Sequence, residues 1–163
     1  MTLPLYYSLE KAAKMYNLPL ERLNNWLECG KLDAIQNQAG EILVSSKSIE
    51  DNLTKAEIIN QHYADLVGVP ITLKDAAEKY GVHKQTIYGW VKYYKYVRIL
   101  RKGYKIEVDE ADVAYCANIY QKRQQSGLGT SGAPLLHKDG RPYRLKRKDV
   151  AMYRKRKRET EPA

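Results

Sequence analysis

An eleven-residue pattern occurs twice in this chain, and the second copy begins 64 residues after the first. Residues 8–18 read SLEKAAKMYNL, and residues 72–82 read TLKDAAEKYGV. A tryptophan follows each copy at the same distance, Trp26 in the first and Trp90 in the second. Because a repeat of this length marks two copies of one small folded unit, the chain is predicted to contain two related domains.

The second copy carries the clearer structural signals. Thr72 is a preferred N-cap residue, and Gly81 suits a tight turn between a first helix and a second one. The second helix follows His83, which stands at the cap position. Two strands then flank residues 101–104 (RKGY), a basic hairpin tip, and Asp109 begins another helix. The predicted order is helix, turn, helix, hairpin, helix.

The first copy repeats this order with weaker signals. Ser8 caps its first helix, and Gly30 ends its second one as a left-handed cap. Two short strands are expected around Gly40, and Ser46 or Ser48 caps a third helix. The chain is therefore predicted to be mainly α with short β-hairpins.

Apolar residues continue at three- and four-residue steps between the two copies: Ile49, Leu53, Ala56, Ile59, Tyr63 and Leu66. This spacing predicts that the third helix of the first copy extends to about Val67. It serves either as a connector packed on the second copy or as a surface for a partner chain. The connector is favoured, because a single apolar stripe is usually part of an intramolecular core.

The C-terminal part begins with a Gly/Ser-rich stretch that predicts a flexible linker. The basic arm beyond it aligns at a constant offset of 37 with the second copy, so that Gly140 matches Gly103. It is either a further hairpin-plus-helix half-repeat or a disordered basic tail. The predicted parts are a first copy at 1–53, a helical connector at 54–69, a second copy at 70–125, a linker at 126–136 and the arm at 137–163.

Positive charge is concentrated in the second half of the chain. The formal net charge is +9, with 28 basic and 19 acidic side chains. Residues 1–53 carry five basic and seven acidic side chains, whereas residues 68–123 carry eleven and six, and residues 124–163 carry eleven and four. A polyanion is therefore expected to be attracted to the second copy and the arm rather than to the first copy.

Several classes of function are not supported by the sequence. An apolar run of membrane-spanning length and a signal peptide are both lacking, so we expect a cytoplasmic protein. Cys29 and Cys116 have no metal-ligand or disulfide spacing, and both are expected to be buried free thiols. Catalytic, nucleotide-binding and metal motifs do not occur either. We therefore expect a non-enzymatic protein without a metal or cofactor.

The assembled order resembles the MerR-like, excisionase-type winged helix-turn-helix family. The resemblance is carried in the second copy by Thr72, Leu73, Ala76, Ala77, Tyr80, Gly81, Val82, Thr86, Ile87, Trp90, Gly103, Asp112 and Val113, and in the first by Ser8, Leu9, Ala12, Ala13, Leu18, Leu23, Trp26 and Ile49. It implies two tandem winged helix-turn-helix domains that bind double-stranded DNA. The implied role is a transcriptional regulator or an excisionase-like recombination or architectural factor, associated with the nucleoid or, in a eukaryote, located in the nucleus.

The resemblance also implies which residues contact DNA. The second helix of the second copy would enter the major groove and read bases with Lys84, Gln85, Tyr88 and Lys92. The hairpin wing would contact the backbone through Arg101, Lys102 and Tyr104. The basic arm would add phosphate contacts through Arg141, Arg144, Lys146, Arg147, Arg154, Lys155 and Arg156.

The first copy departs from this pattern. Its second helix has Leu20, Glu21, Asn24 and Glu28 at the reader positions, and carboxylates repel phosphates. It is either a degenerate copy used for protein contacts or dimer formation, which we favour, or a second reader that uses Arg22, Asn24 and Asn25. The alternative function for the whole chain is a protein-interaction or scaffold module whose basic tail binds RNA or an acidic partner.

Residues 93–96 (YYKY) interleave aromatic rings with a charge. Such a segment can stack on single-stranded bases. The chain has fourteen Tyr and no Phe, however, so tyrosine is also its core aromatic residue. A core role is favoured for these tyrosines, as it is for Trp26 and Trp90.

Overall fold

The computed structural model describes residues 5–128, 133–143, 145 and 147–160, without the side chains of Arg147, Lys148 and Lys157. The chain divides into two compact units, Met1–Thr54 and Lys55–Ala163. Each unit contains one three-stranded antiparallel sheet and several short helices. The predicted mainly α chain with short β-hairpins is confirmed at this level.

The first unit contains three short strands and three helices. In chain order they are β1 (Tyr6–Ser8), α1 (Leu9–Met15), α2 (Leu20–Glu28), β2 (Ala34–Gln36), β3 (Ile42–Ser45) and α3 (Ser46–Asn52). Strand β3 lies in the middle of the sheet, with β1 and β2 antiparallel on either side. The core is formed by side chains from the helices, from the central strand and from the residue that follows α3: Ala12, Leu23, Val44, Ile49 and Leu53.

Capping residues set the ends of the helices in the first unit. The Ser8 hydroxyl accepts a hydrogen bond from the Lys11 amide at 3.3 Å, which caps α1 as predicted. Gly30 has a φ of +69°, the left-handed conformation expected after α2. The Tyr16 hydroxyl donates to Glu50 Oε1 at 3.1 Å and so ties the end of α1 to α3. Burial and the Glu50 charge raise the pKa of Tyr16, which stays a protonated donor.

The second unit repeats the arrangement and adds helices at both ends. Its elements are α4 (Lys55–His62), a 3-10 turn (Ala64–Leu66), β4 (Pro70–Thr72), α5 (Leu73–Tyr80), α6 (Lys84–Lys92), β5 (Ile99–Arg101), β6 (Glu107–Asp109), α7 (Glu110–Gln125) and α8 (Arg147–Thr160). Strand β6 is central, between β4 and β5. The sheet order therefore matches that of the first unit.

Helices α5 and α6 are joined by a tight turn. The Thr72 hydroxyl accepts from the Asp75 amide at 3.2 Å, and Gly81 ends α5 with a φ of +62°. Ile87 and Trp90 of α6 are buried in the same apolar cluster as Val113 of α7. The two tryptophans are core residues, as predicted, since Trp26 and Trp90 are both buried.

The single long helix expected from Ile49 to Val67 is wrong. Leu53 has extended backbone angles, so α3 ends before it and α4 begins at Lys55. The apolar spacing continues across the break because Leu53 is buried in the first unit whereas Ile59 is buried in the core of the second. Helix α4 packs within the second unit, where Lys55 Nζ lies 2.8 Å from Asp112 Oδ1.

The linker predicted at 126–136 is too long at its C-terminal end. Leu135 and Leu136 are buried in the apolar cluster of the second unit. They belong to a C-terminal hairpin, residues 133–143, which turns at Gly140 and pairs Leu136 with Pro142. Helix α8 follows. Hairpin and helix thus come in the order expected for the half-repeat.

Cys29 also differs from expectation, because its side chain is exposed at the end of α2. Cys116 is buried in α7 as predicted, and burial raises the pKa of its thiol to about 12. Among the helices of the described residues, none combines the length and apolar character needed to cross a membrane.

Candidate nucleic-acid interface

Helix α6 begins at a histidine cap. His83 has an extended backbone, and its Nδ1 accepts a hydrogen bond from the Gln85 amide at 3.2 Å. The first amides of a helix lack intrahelical partners, so this bond satisfies one of them. The cap fixes the turn that carries Lys84 and Gln85.

The two faces of α6 differ sharply in burial. The inner face is buried against the core through Ile87, Trp90 and Val91. The outer face carries the four predicted readers, with Lys84, Gln85 and Lys92 exposed and Tyr88 half-buried. The Trp90 ring contacts the Tyr120 ring of α7 edge-to-face, with the ring centroids 5.7 Å apart. This contact fixes the orientation of α6 about its own axis.

A groove of about 730 Å³ lies in front of this outer face and is called the first groove below. The start of α5, the outer face of α6 and the β5–β6 hairpin form its walls. The residues lining it are Thr72, Leu73, Lys74, Asp75, Lys84, Gln85, Tyr88, Tyr104, Lys105 and Ile106. Three of the predicted contact residues on α6 and one on the wing therefore meet at a single concave surface.

Lys92 is held beside this groove by Tyr88. Its ammonium group lies 5.4 Å from the centre of the Tyr88 ring. A hydrogen bond with Tyr88 raises the pKa of Lys92, which therefore stays charged. The two predicted readers act as a pair, one positioning the other.

The wing tip is exposed and mostly cationic. Tyr104 is fully exposed, and Lys102 and Lys105 are exposed beside it. Arg101 lies 3.7 Å from Glu107 on the neighbouring strand, an ion pair that neutralises part of its charge. Of the three predicted wing residues, Lys102 and Tyr104 are thus more available to contact a ligand than Arg101.

The base of the wing is anchored by a buried acidic pair. Arg98 Nη2 lies 2.7 Å from Asp109 Oδ2, and the Arg98 amide donates to Asp112 Oδ2 at 2.9 Å. Asp109 also accepts from the Gly68 amide at 3.2 Å. Because both carboxylates are almost fully buried, these bonds hold β5 in a fixed position relative to α7.

Two lysines in the first groove were missed by sequence reasoning. Lys74 lies in the first turn of α5, and Lys105 lies between the wing tip and β6. Their charge was visible in the sequence, but the approach of α5 to the wing was not. The acidic side chain in the lining of the groove, Asp75, accepts a hydrogen bond from the Thr72 hydroxyl at 2.8 Å.

The first unit offers a surface that is less suited to binding a polyanion at the equivalent positions. Asn24 and Asn25 are exposed on α2, but the Arg22 guanidinium packs over the Trp26 ring at 4.7 Å. Glu21 and Glu28 are exposed on the same helix. Two of the three side chains suggested as a second reader are therefore available, next to carboxylates.

The C-terminal arm is only partly described. Arg154, Lys155 and Arg156 are exposed on α8, and Lys155 lies 3.9 Å from Glu159. Arg141 pairs with Asp139 of its own turn at 2.7 Å. The other predicted arm contacts lie outside the described residues, namely Arg144, Lys146 and the side chain of Arg147.

Comparisons with known proteins give no match, whether with family models, with curated proteins or with solved structures. The resemblance to the MerR-like, excisionase-type family stays a prediction. In the part of the chain that the structure describes, no three His, Cys, Asp or Glu side chains come together as a metal site.

Proposed function

We propose that this chain binds double-stranded DNA sequence-specifically and without catalysis, through two winged helix-turn-helix units of the MerR-like, excisionase-type kind. One observation carries the proposal. The capped start of α6, the start of α5 and the wing tip converge on one groove whose cationic side chains are Lys84, Lys74 and Lys105. A cationic groove that has the exposed face of a helix as one wall suits a duplex in shape and charge.

The dimensions of α6 suit the major groove. Nine residues form a helix roughly 13 Å long, with side chains giving a diameter of about 10–12 Å, and the major groove of B-DNA is about 12 Å wide. The inner face of α6 is buried, so only the outer face can point to base edges. This supports base readout by the first two turns of the helix.

The side chains on α6 support a division of labour. Gln85 can form two hydrogen bonds with an adenine edge, whereas Lys84 can reach guanine or a phosphate. On the wing, Lys102 and Lys105 can neutralise phosphates. The exposed cations of α8 add contacts of the same kind, which increase affinity for all sequences alike.

The biological role that suits this arrangement is transcriptional regulation or architectural assistance to recombination. Two units on one chain favour adjacent half-sites or a bent duplex. The protein would then act at the nucleoid in the cytoplasm of a prokaryote, or in the nucleus of a eukaryote.

The salt dependence of duplex binding tests the cationic groove. We expect Lys84→Ala and Lys102→Ala each to weaken binding to a random 20-bp duplex and to lower the slope of log affinity against log salt by about 1 for each phosphate that the variant no longer neutralises. Lys122→Ala is the matched control, because Lys122 is exposed on α7 and does not line the groove. Equal slopes for all three variants would contradict the proposal.

A second candidate function is a protein-interaction module built on the first unit. That unit is acidic, and its described residues include five exposed large apolar side chains, Leu5, Met15, Leu20, Ile35 and Ile42. The apolar stripe that first suggested a partner surface no longer supports it, since Ile49, Leu53 and Ile59 are buried within their own units. Light scattering tests the homodimer form, which predicts a mass about twice that of the 18.8 kDa chain.

A further inference from the structure

A second groove, of about 660 Å³, lies between the loop that follows α6 and the C-terminal hairpin. Five rings line it, four of them tyrosines. They come from Tyr93, Tyr94 and Tyr96 on one wall and from His137 and Tyr143 on the other. Exposed apolar surface that is gathered in one place marks an interaction site more often than single scattered side chains do.

The first wall presents exposed ring faces. Tyr93 is 70% exposed and Tyr94 is 55% exposed, so the core role favoured for these two tyrosines from the sequence is wrong. The Tyr94 ring is stacked on that of Tyr96, with centroids 5.1 Å apart and planes 14° from parallel. One face of Tyr94 is therefore supported by Tyr96, while about half of the residue stays exposed in the groove.

The loop that carries these rings has a defined shape. Lys95 has a φ of +57°, in the left-handed region that a residue other than glycine adopts at a cost. The Tyr94 amide donates to the Gly89 carbonyl at 3.1 Å, and the Tyr96 amide donates to the Trp90 carbonyl at 2.8 Å. The aromatic platform is thus preorganised rather than part of a free loop.

The second wall is bound to the core of the unit. Leu136 is buried, and the Tyr115 hydroxyl donates to the Gly140 carbonyl at 2.8 Å. The Arg123 guanidinium donates to the carbonyls of Pro134 and Tyr143 at 2.9 and 2.8 Å. Gly140 has a φ of +86°, and a Cβ there would lie 3.0 Å from Lys55 Cβ, so the hairpin approaches α4 as closely as a glycine allows.

The available charge of the groove is positive. Lys95 and Lys138 are exposed at its rim. Its other charged lining residues are already paired, Lys55 with Asp112 at 2.8 Å and Asp139 with Arg141 at 2.7 Å. Rings combined with exposed lysines favour a ligand that has flat faces and negative charge.

The two grooves are adjacent. Tyr88 lines the first groove and Tyr93 lines the second, and their rings meet edge-to-face with centroids 6.2 Å apart. The linings of the two grooves therefore meet at this pair of rings.

We propose that the second groove binds unpaired nucleobases of single-stranded nucleic acid, which stack on Tyr94 and Tyr93 while Lys95 and Lys138 contact the phosphates. Its use beside a duplex rests on the proposed function, whereas single-strand binding does not. A proline-rich peptide also suits aromatic grooves, but it gives the two lysines no partner.

Fluorescence anisotropy with the full chain tests this site. One labelled probe is an oligo-dT of roughly 12 nucleotides, a length within the usual range of single-strand site sizes. The other is an abasic phosphodiester strand of the same length. We expect oligo-dT to bind about tenfold more tightly than the abasic strand, because stacking needs bases. Tyr94→Ala should weaken oligo-dT binding about tenfold, and Tyr94→Trp should restore it. Circular dichroism should show an intact fold, since Tyr94 is largely exposed.

Tyr104→Ala is the matched control, because Tyr104 lies in the first groove and not in the second. It should weaken duplex binding and leave oligo-dT binding within about twofold of the wild type. Tyr94→Ala, in contrast, should weaken oligo-dT binding and leave duplex binding within about twofold of the wild type. A wild-type chain that binds oligo-dT but no duplex would refute the proposed function and leave this site standing.

Three results would overturn the second site. The first is equal affinity for oligo-dT and the abasic strand, and the second is unchanged oligo-dT binding by Tyr94→Ala. The third is that the chain does not bind oligo-dT but binds a proline-rich peptide, and that Tyr94→Ala abolishes this peptide binding.

Discussion

His83 occupies a position where helices usually begin with Ser, Thr, Asp or Asn, and its imidazole nitrogen provides the same acceptor. The bond matters because α6 is short and carries Lys84 and Gln85 in its first turn. A frayed first turn would move both side chains away from the first groove. The cap formed by His83 therefore helps to hold the two proposed readers, Lys84 and Gln85, in position.

Replacing the cap tests this link. We expect His83→Ala to lower the free energy of unfolding by about 1 kcal/mol, since one amide of the first turn is left without its partner. His83→Asn should retain most of the stability, because an Asn side chain caps as well. Urea unfolding followed by circular dichroism measures both. A His83→Asn variant as unstable as His83→Ala would show that the imidazole acts by packing instead.

At the scale of elements, the start of α7 is where the acidic residues gather. Asp109 caps the helix through the Ala111 amide at 3.0 Å, and Glu110 pairs with Lys79 and accepts from the Tyr80 hydroxyl at 2.8 Å. Carboxylates at a helix N-terminus are stabilised by the helix dipole. This cluster ties α5 and the wing to α7, and so fixes the walls of the first groove.

The pH dependence of stability tests the Glu110 contacts. Burial alone would raise the pKa of Glu110, but the hydrogen bonds from Lys79 and Tyr80 and the Lys79 charge outweigh it and lower the pKa below 4.5. A carboxyl with a depressed pKa stabilises the fold above its ordinary range and no longer does so in acid. Glu110→Gln should therefore lower the free energy of unfolding by about 1 kcal/mol at pH 7, and by progressively less as the pH falls below 4.5.

Glu78→Gln is the control for this prediction, because Glu78 is exposed on the neighbouring α5 and undergoes the same change in charge. Its effect on urea unfolding should be small at every pH. If Glu110→Gln lowered the free energy of unfolding by the same amount at pH 7 and at acidic pH, the ionic role of Glu110 would be contradicted.

The elements that could be predicted from the sequence are those with local signals. Ser8, Thr72 and Gly81 mark helix ends through contacts within a few residues, so α1 and α5 were predicted close to their observed bounds. Strands β1 and β4 were missed. Each has three residues, and their partners β3 and β6 lie more than thirty residues further along the chain, beyond the reach of local patterns.

The candidate site shows the same limit. The four proposed readers on α6 were implied by the family resemblance. The second groove was not, because Tyr94 and His137 come together only when the C-terminal hairpin packs on the second unit. The buried Leu135 and Leu136 were the available signal, hidden by the Gly/Ser composition before them.

At the scale of the whole molecule, charge and fold coincide. The acidic unit carries carboxylates on α2, at positions equivalent to the proposed readers of α6, and the basic unit carries the cationic groove. The basic helix α8 adds further positive charge to the second unit. Two copies of one architecture have thus come to differ in surface chemistry while the sheet order and the buried tryptophan are kept.

Truncation of the chain separates affinity from specificity. Deleting residues 144–163 removes α8 and keeps the C-terminal hairpin, whose Leu135 and Leu136 belong to the core. We expect this truncation to weaken binding to all duplexes by a similar factor, since phosphate contacts carry no sequence information. Competition binding with matched and scrambled duplexes measures it. Failure of the truncated chain to discriminate between the two would show that the arm reads bases.

The proposed function depends on base readout by α6. We would test this readout by selecting bound duplexes from a random pool at two salt concentrations, with the wild type and with Gln85→Ala. We expect a short recurring site that survives the higher salt, and in the variant a preference weakened by about 1–3 kcal/mol at one position. Binding that collapses with salt and enriches no sequence would contradict base readout, and would leave a protein that recognises only the charge of the backbone.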